Sequence, residues 1–147
     1  MLCGKSMNQV ESLTNDEVET KMRSIATIIQ SKMSITNQER HFQRAIAIEC
    51  QHFFSGSTVV TEQPVQTIYV DSMNTTHSLG TDRVDIYIPE IGLFIELKKQ
   101  RPQLSHELQL QGYMNNAKTN GLKCELGILI CFYIEKGNLK YSLKRLT

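Results

Sequence analysis

No apolar run in this 147-residue chain approaches the length that crosses a membrane. Its N-terminus also lacks the basic-then-apolar layout of a secretory signal, so an intracellular location is the expectation. Cysteine is scarce. Cys3, Cys50, Cys124 and Cys131 form no CxxC pair, and no histidine spacing completes a zinc ligand set; reduced, structural thiols are the reading. A net charge of only +1 excludes a protein that coats nucleic acid by bulk electrostatics. Repeats, low-complexity tracts and domain linkers are missing too. With 40% hydrophobic and 21% charged residues, the chain fits one globular domain around a single core.

What is present begins with periodicity. Residues 1–13 carry none and read as a loose leader, leaving 14–147 as the domain. Thr14 or Asn15 caps a predicted helix over 16–33, with acidic residues in its first turn and an apolar stripe of Val18, Met22, Ile25, Ile29 and Met33. Thr36 or Asn37 opens a second helix over 38–54, with Phe42, Ala45, Ile46, Cys50 and Phe53 as its buried side and Gly56 as its stop. Two β-rich segments follow, 58–61 and 65–70, on either side of Pro64. A polar loop over 71–80 leads into the strongest local signal of the chain. Pro102 then breaks the chain, and a third helix runs to about 116, with Leu108, Leu110 and Met114 expected to bury it. A strand over 125–134, a Gly137-Asn138 turn and a short strand over 139–144 close the sequence. Helices, a mixed set of strands, a helix and more strands make an α/β sheet with helices packed on it.

The strong signal is Val84-Asp85-Ile86-Tyr87-Ile88-Pro89-Glu90-Ile91-Gly92-Leu93-Phe94-Ile95-Glu96-Leu97-Lys98. It reads as two apolar strands around a Pro/Gly turn. If the hairpin closes evenly about Glu90-Ile91, Asp85 falls opposite Glu96. Directly opposed residues have Cβ atoms roughly 5 Å apart, where like charges destabilise a sheet. Lys98, two residues beyond Glu96, shares its face. A divalent cation between the carboxylates gives that arrangement a purpose, since Mg²⁺ is held by one or two carboxylates plus substrate phosphate oxygens. The alternative is a solvated face on which Glu96 and Lys98 merely pair, with Asp85 at a strand edge.

Two further groups belong to the same question. Glu39 opens the second helix and Glu49 lies ten residues on, nearly the same face after three turns. Either approaches the metal face from the side, although an acid in a first helical turn also serves the helix dipole. On the third helix Gln109 and Tyr113 are four apart and share one face. They suit hydrogen bonding to a phosphate and an attacking water without added charge, or simply a polar helix face. Local basic clusters, Lys98-Lys99-Gln100-Arg101 and Lys136, Lys140, Lys144 and Arg145, read as solvated surface or as modest phosphate contacts.

Taken in order, an acidic helix, Asp85, Glu96-Leu97-Lys98 and a helix with Gln109 and Tyr113 resemble the PD-(D/E)XK nuclease superfamily. Within it, the chain is most similar to the small GxxExxY family, over about residues 14–147. Glu39-Arg40-His41-Phe42 stands where that family has ExxY, and Glu49-Cys50 where its apolar run ends in Glu-Leu. His106-Glu107-Leu108-Gln109 and Tyr113-Met114 match the HExQLxxYL helix, and Gly127-Ile128-Leu129-Ile130 and Lys144-Arg145 fit the closing strands. Thr36 replaces the family's leading Gly, Phe42 its Tyr, and Cys131-Phe132-Tyr133 its Asn-Phe-Gly; the loop over 71–80 is longer than typical.

The resemblance implies a restriction-endonuclease-like mixed β-sheet flanked by helices, in a single domain. It implies a metal-dependent nuclease acting on nucleic acid, DNA ahead of RNA, with Mg²⁺ as cofactor and Mn²⁺ as a substitute. Asp85 and Glu96 would hold the metal, with Glu39 binding it directly or through water. Lys98 would orient the attacking water or stabilise the transition state, Gln109 would help position it, and Tyr113 would support. Products would carry a 5′-phosphate and a 3′-hydroxyl. A domain this small has little room for a DNA-gripping subdomain, which points to self-association or a protein partner. The competing class is a nuclease-like fold used as a binding or assembly module with little or no catalysis, since fold does not fix function. A small RNA-binding domain ranks lower for want of an aromatic-plus-basic stacking platform.

Overall fold

In the computed structural model, which describes residues 12–147, the first helix α1 (Asn15–Lys32) begins with a capping box. Thr14 Oγ1 accepts from Glu17 N–H, and the Glu17 carboxylate accepts from Thr14 N–H. The expected leader lies outside the described residues except for Ser12 and Leu13, and Leu13 packs against the core. Helix α2 (Glu39–Phe53) buries Phe42, Ile46, Ala47 and Cys50, within a residue of the predicted bounds. Helix α3 (Leu104–Ala117) follows Pro102. None of the described helices is long and apolar enough to cross a membrane.

Five strands form one sheet in sequence order, β1 (Val60–Val70), β2 (Thr76–Ile88), β3 (Leu93–Lys98), β4 (Leu126–Glu135) and β5 (Asn138–Leu146). All neighbours are antiparallel except β3 and β4, which run parallel with α3 as their crossover. Alternation along the central strands separates two cores. Leu93, Ile95 and Leu97 of β3, with Leu126, Ile128 and Ile130 of β4, pack on α1 and α2. Phe94 and Leu129 face Leu110, Tyr113 and Ala117 of α3. Being covered on both faces, these strands are nearly continuous apolar runs. Gly127 lets α3 lie close, because a Cβ there would sit 2.5 Å from Met114 Sδ.

Two expectations about the sheet's outer part are corrected. The predicted loop over 71–80 is half strand: only 71–75 turn, with Asp71 Oδ1 accepting from Met73 and Thr75 N–H, and β2 begins at Thr76. The ribbon is exposed on both faces there, so it carries no alternating pattern to read. The segments around Pro64 are one strand, β1, at the edge of the sheet, where a missing N–H costs no ladder bond. Leu108, expected in the core, is 62% exposed. The buried stripe of α3 is His106, Leu110, Tyr113 and Ala117, which places Leu108 on the far side. The final turn is Lys136-Gly137, both with positive φ (51° and 79°), one residue before the expected pair.

Candidate metal and catalytic site

The hairpin closes in the expected register, with Ile86 opposite Ile95, Tyr87 opposite Phe94 and Ile88 opposite Leu93. One step further, Asp85 and Glu96 face each other and the regular ladder stops. Side chains take over the backbone's bonds there. Asp85 N–H donates to Glu96 Oε1 at 3.0 Å, and Leu97 N–H donates to Asp85 Oδ2 at 2.8 Å. On its other flank Asp85 falls opposite Glu62, again without a regular pair. The sheet therefore opens on both sides of Asp85, and two interlocking carboxylates hold the gap.

Parity along β3 puts Glu96 and Lys98 on the α3 face with Phe94. Glu96 is only 3% exposed. Burial is the main cause that raises its carboxyl pKa, to about 8, and the facing Asp85 carboxylate adds to it. Asp85 is raised for the same first reason, to about 6, with the charges of Glu39 and Glu62 contributing. Lys98 Nζ stands 3.8 Å from Glu96 Oε2, a single cation against several carboxylates. The site is short of positive charge.

Glu39, the first residue of α2, anchors the same region from the side. Its Oε1 accepts from Lys99 N–H at 3.0 Å, tying the helix start to the end of β3. Glu49 makes no hydrogen bond or ion pair with these groups. Tyr113 is nearly buried, and its phenol pKa is pushed up to about 12 by burial and then by the charges of Glu96, Asp82 and Asp85, with a hydrogen bond to Gln109 opposing. Gln109 is exposed beside it. The structure thus brings together Asp85, Glu96, Lys98, Glu39, Tyr113 and Gln109, and leaves Glu49 out.

Sequence reasoning missed two neighbours. Glu62 lies across from Asp85 with φ 57°, a left-handed conformation uncommon for a non-glycine residue. No motif marks it; only the sheet brings it there. His106, noted only as part of a motif, is buried, with Nε2 2.6 Å from the Gln100 amide and Nδ1 3.9 Å from Cys131 Sγ. Burial, and then the charge of Lys98, lowers its pKa.

The donor chemistry fits a hard divalent cation. After their bonds to backbone N–H groups, Asp85 keeps Oδ1 and Glu96 keeps Oε2, and all the donors are oxygens. Among the described residues no three acidic, histidine or cysteine side chains converge tightly enough to cage an ion alone. Two carboxylates completed by water and substrate oxygens are what Mg²⁺ favours.

A sequence model of the PD-(D/E)XK nuclease superfamily matches residues 16–146. No curated protein matches the chain. Among solved structures, the crystal structure of SSO0001 superposes with a TM-score of 0.50 at 18% identity, over 85% of this chain and 58% of that one. At that identity the likeness shows the fold alone. The chain spans little more than half the length of that protein.

Proposed function

The chain belongs to the PD-(D/E)XK nuclease superfamily, with its restriction-endonuclease-like α/β fold, and from that premise we propose that it is a metal-dependent nuclease cleaving phosphodiester bonds of nucleic acid, DNA first. Within the superfamily the order of its motifs aligns it with the GxxExxY family. The observation that carries the reading is the opposed pair of half-buried Asp85 and buried Glu96, with Lys98 as the one cation beside them among the described residues. A purely structural sheet gains nothing from such a pair, since like charges directly opposite destabilise it.

Asp85 and Glu96 would hold the cation, with Glu39 binding it directly or through water. Mg²⁺, or Mn²⁺ in its place, supplies a Lewis acid and a counter-charge to the phosphate. Lys98 would orient the attacking water or offset charge growing on the phosphate oxygens. Gln109 positions that water by hydrogen bonding. Tyr113 stays a neutral phenol through the working pH range and donates without adding charge. A protein of near-neutral net charge meets nucleic acid through local contacts, which suits an enzyme that must release its product. The small size of the domain favours self-association or a protein partner for grip on the substrate.

The test is cleavage of labelled single-stranded, duplex and branched DNA, with RNA alongside, in Mg²⁺, Mn²⁺ or EDTA. Cutting that needs metal and disappears in Lys98→Ala, with the fold intact by circular dichroism, is the expected result. Wild-type rates in Lys98→Ala would discard the assigned mechanism. Metal-induced stabilisation without cutting would point to a missing partner or substrate, and neither effect would favour the binding module.

A further inference from the structure

Helix α3 is pinned at both ends, and the second pin lies outside every motif of the sequence. At its start, His106 meets Gln100, two residues beyond Lys98. At its far end, Asn116 and, in the single 3-10 turn Lys118–Asn120 that continues the helix, Asn120 reach the outer edge of β1. Asn120 Oδ1 accepts from Gln66 N–H at 2.8 Å, and its Nδ2 donates to the Gln66 carbonyl at 2.9 Å, the pair of bonds a neighbouring strand would make. Asn116 Oδ1 accepts from Ile68 N–H at 3.0 Å. The amides are themselves held, Asn116 Nδ2 donating to Gly112 O at 2.9 Å and Asn120 Nδ2 to Asn116 O at 2.7 Å.

The spacing works because two periodicities nearly coincide. From Asn116 to Asn120 the end of the helix and its 3-10 turn rise about 7 Å, and two residues of strand advance about 6.7 Å. One-residue slippage of α3 along its axis breaks all three bonds to β1 together. Apolar contact of Leu110, Tyr113 and Ala117 with Val65 and Val84 presses the helix onto the sheet, but burial is non-directional and resists sliding far less. Between the two pins lie Gln109 and Tyr113.

We propose that Asn116 and Asn120 are positioning residues of the active site: by fixing the register of α3 along β1, they set Gln109 and Tyr113 over the Asp85, Glu96 and Lys98 face. The role rests on the nuclease reading above. Neither asparagine bonds to the carboxylates or to Lys98, so both act through the helix.

The experiment compares wild type, the double variant Asn116→Leu/Asn120→Leu and the single variant Asn116→Asp, which keeps an acceptor for Ile68 N–H and gives up only the bond to Gly112 O. Hydrogen exchange is read at the Gln66 and Ile68 amides, and kcat and KM are measured with Mg²⁺ on whichever DNA or RNA the wild type cuts. In the double variant those two amides lose protection while the central strands keep theirs. Its kcat falls roughly tenfold or more with KM within about twofold, the scale of cost for slightly misplaced catalytic groups. Asn116→Asp keeps Ile68 protected and retains most of kcat. Lost protection with unchanged kcat overturns the proposal, as does a rise in KM alone, which would make the asparagines substrate contacts. Loss of protection throughout the sheet reduces them to general stability and overturns it too. Wild-type protein that neither cuts nor gains stability from metal removes the nuclease reading and this role with it, whereas an active wild type with an equally fast double variant removes this role alone.

Discussion

Glu96→Gln is expected to stabilise the metal-free protein while abolishing cleavage. The reason is burial of an acid whose carboxyl pKa rises from 4.5 to about 8, first through desolvation and next through Asp85. Below pH 4.5 the group is protonated in both folded and unfolded chains and contributes no pH dependence. Between 4.5 and about 8 the unfolded chain ionises while the fold keeps its proton, so stability falls as pH rises. Each pH unit in that window costs about 1.36 kcal/mol, on the order of 3 kcal/mol by neutrality. Glutamine keeps an oxygen for the Asp85 N–H bond and never ionises. It should therefore gain ~1–3 kcal/mol over wild type at pH 8, and almost nothing at pH 4.5. The chain has no tryptophan, so urea unfolding is followed by far-UV circular dichroism, with EDTA present, from pH 4.5 to 9. A Glu96→Gln protein no more stable than wild type at pH 8 would refute the reasoning, because the buried charge would then carry no cost.

Because proton and metal compete for Asp85 and Glu96, both raised, the melting-temperature gain from Mg²⁺ or Mn²⁺ should grow from pH 6 to pH 8; a gain independent of pH would place the metal elsewhere. Gly127→Ala puts a Cβ against Met114 Sδ and 3.2 Å from Leu110, and should cost about 1–2 kcal/mol by overpacking, measured by urea unfolding, with cleavage reduced as α3 is pushed off the sheet. Thr14→Ala removes one half of a capping box and should cost about 1 kcal/mol without altering cleavage. A loss of activity there would tie α1 to the site.

Much of the candidate site's geometry was legible before the fold. A hairpin turn sets register by geometry, so Pro89 through Gly92 were enough to oppose Asp85 to Glu96, and two-residue alternation carried Lys98 to the same face. Helices α1 and α2 were readable because one face of each is buried and their apolar residues recur at helical spacing. The β1–β2 ribbon was not, because its outer half is exposed on both faces and leaves threonine, serine and charge without a pattern. Leu108 misled for a related reason: α3 has apolar residues on both sides, and only the sheet chooses between them.

The sequence by itself determined the local chemistry: two carboxylates and a lysine on one strand face, an acid opening a helix, and a glutamine beside a tyrosine. Local spacing suffices for that, since turns and periodicities act over a few residues. Only the tertiary structure decided what surrounds them. It set Glu62 against Asp85, brought Glu39 to the end of β3 through Lys99 N–H, and excluded Glu49. It also stripped water from Glu96, raising its proton affinity, and locked α3 to β1 through Asn116 and Asn120. These depend on contacts between residues far apart in the chain, and desolvation is a property of the packed surroundings that no local pattern encodes.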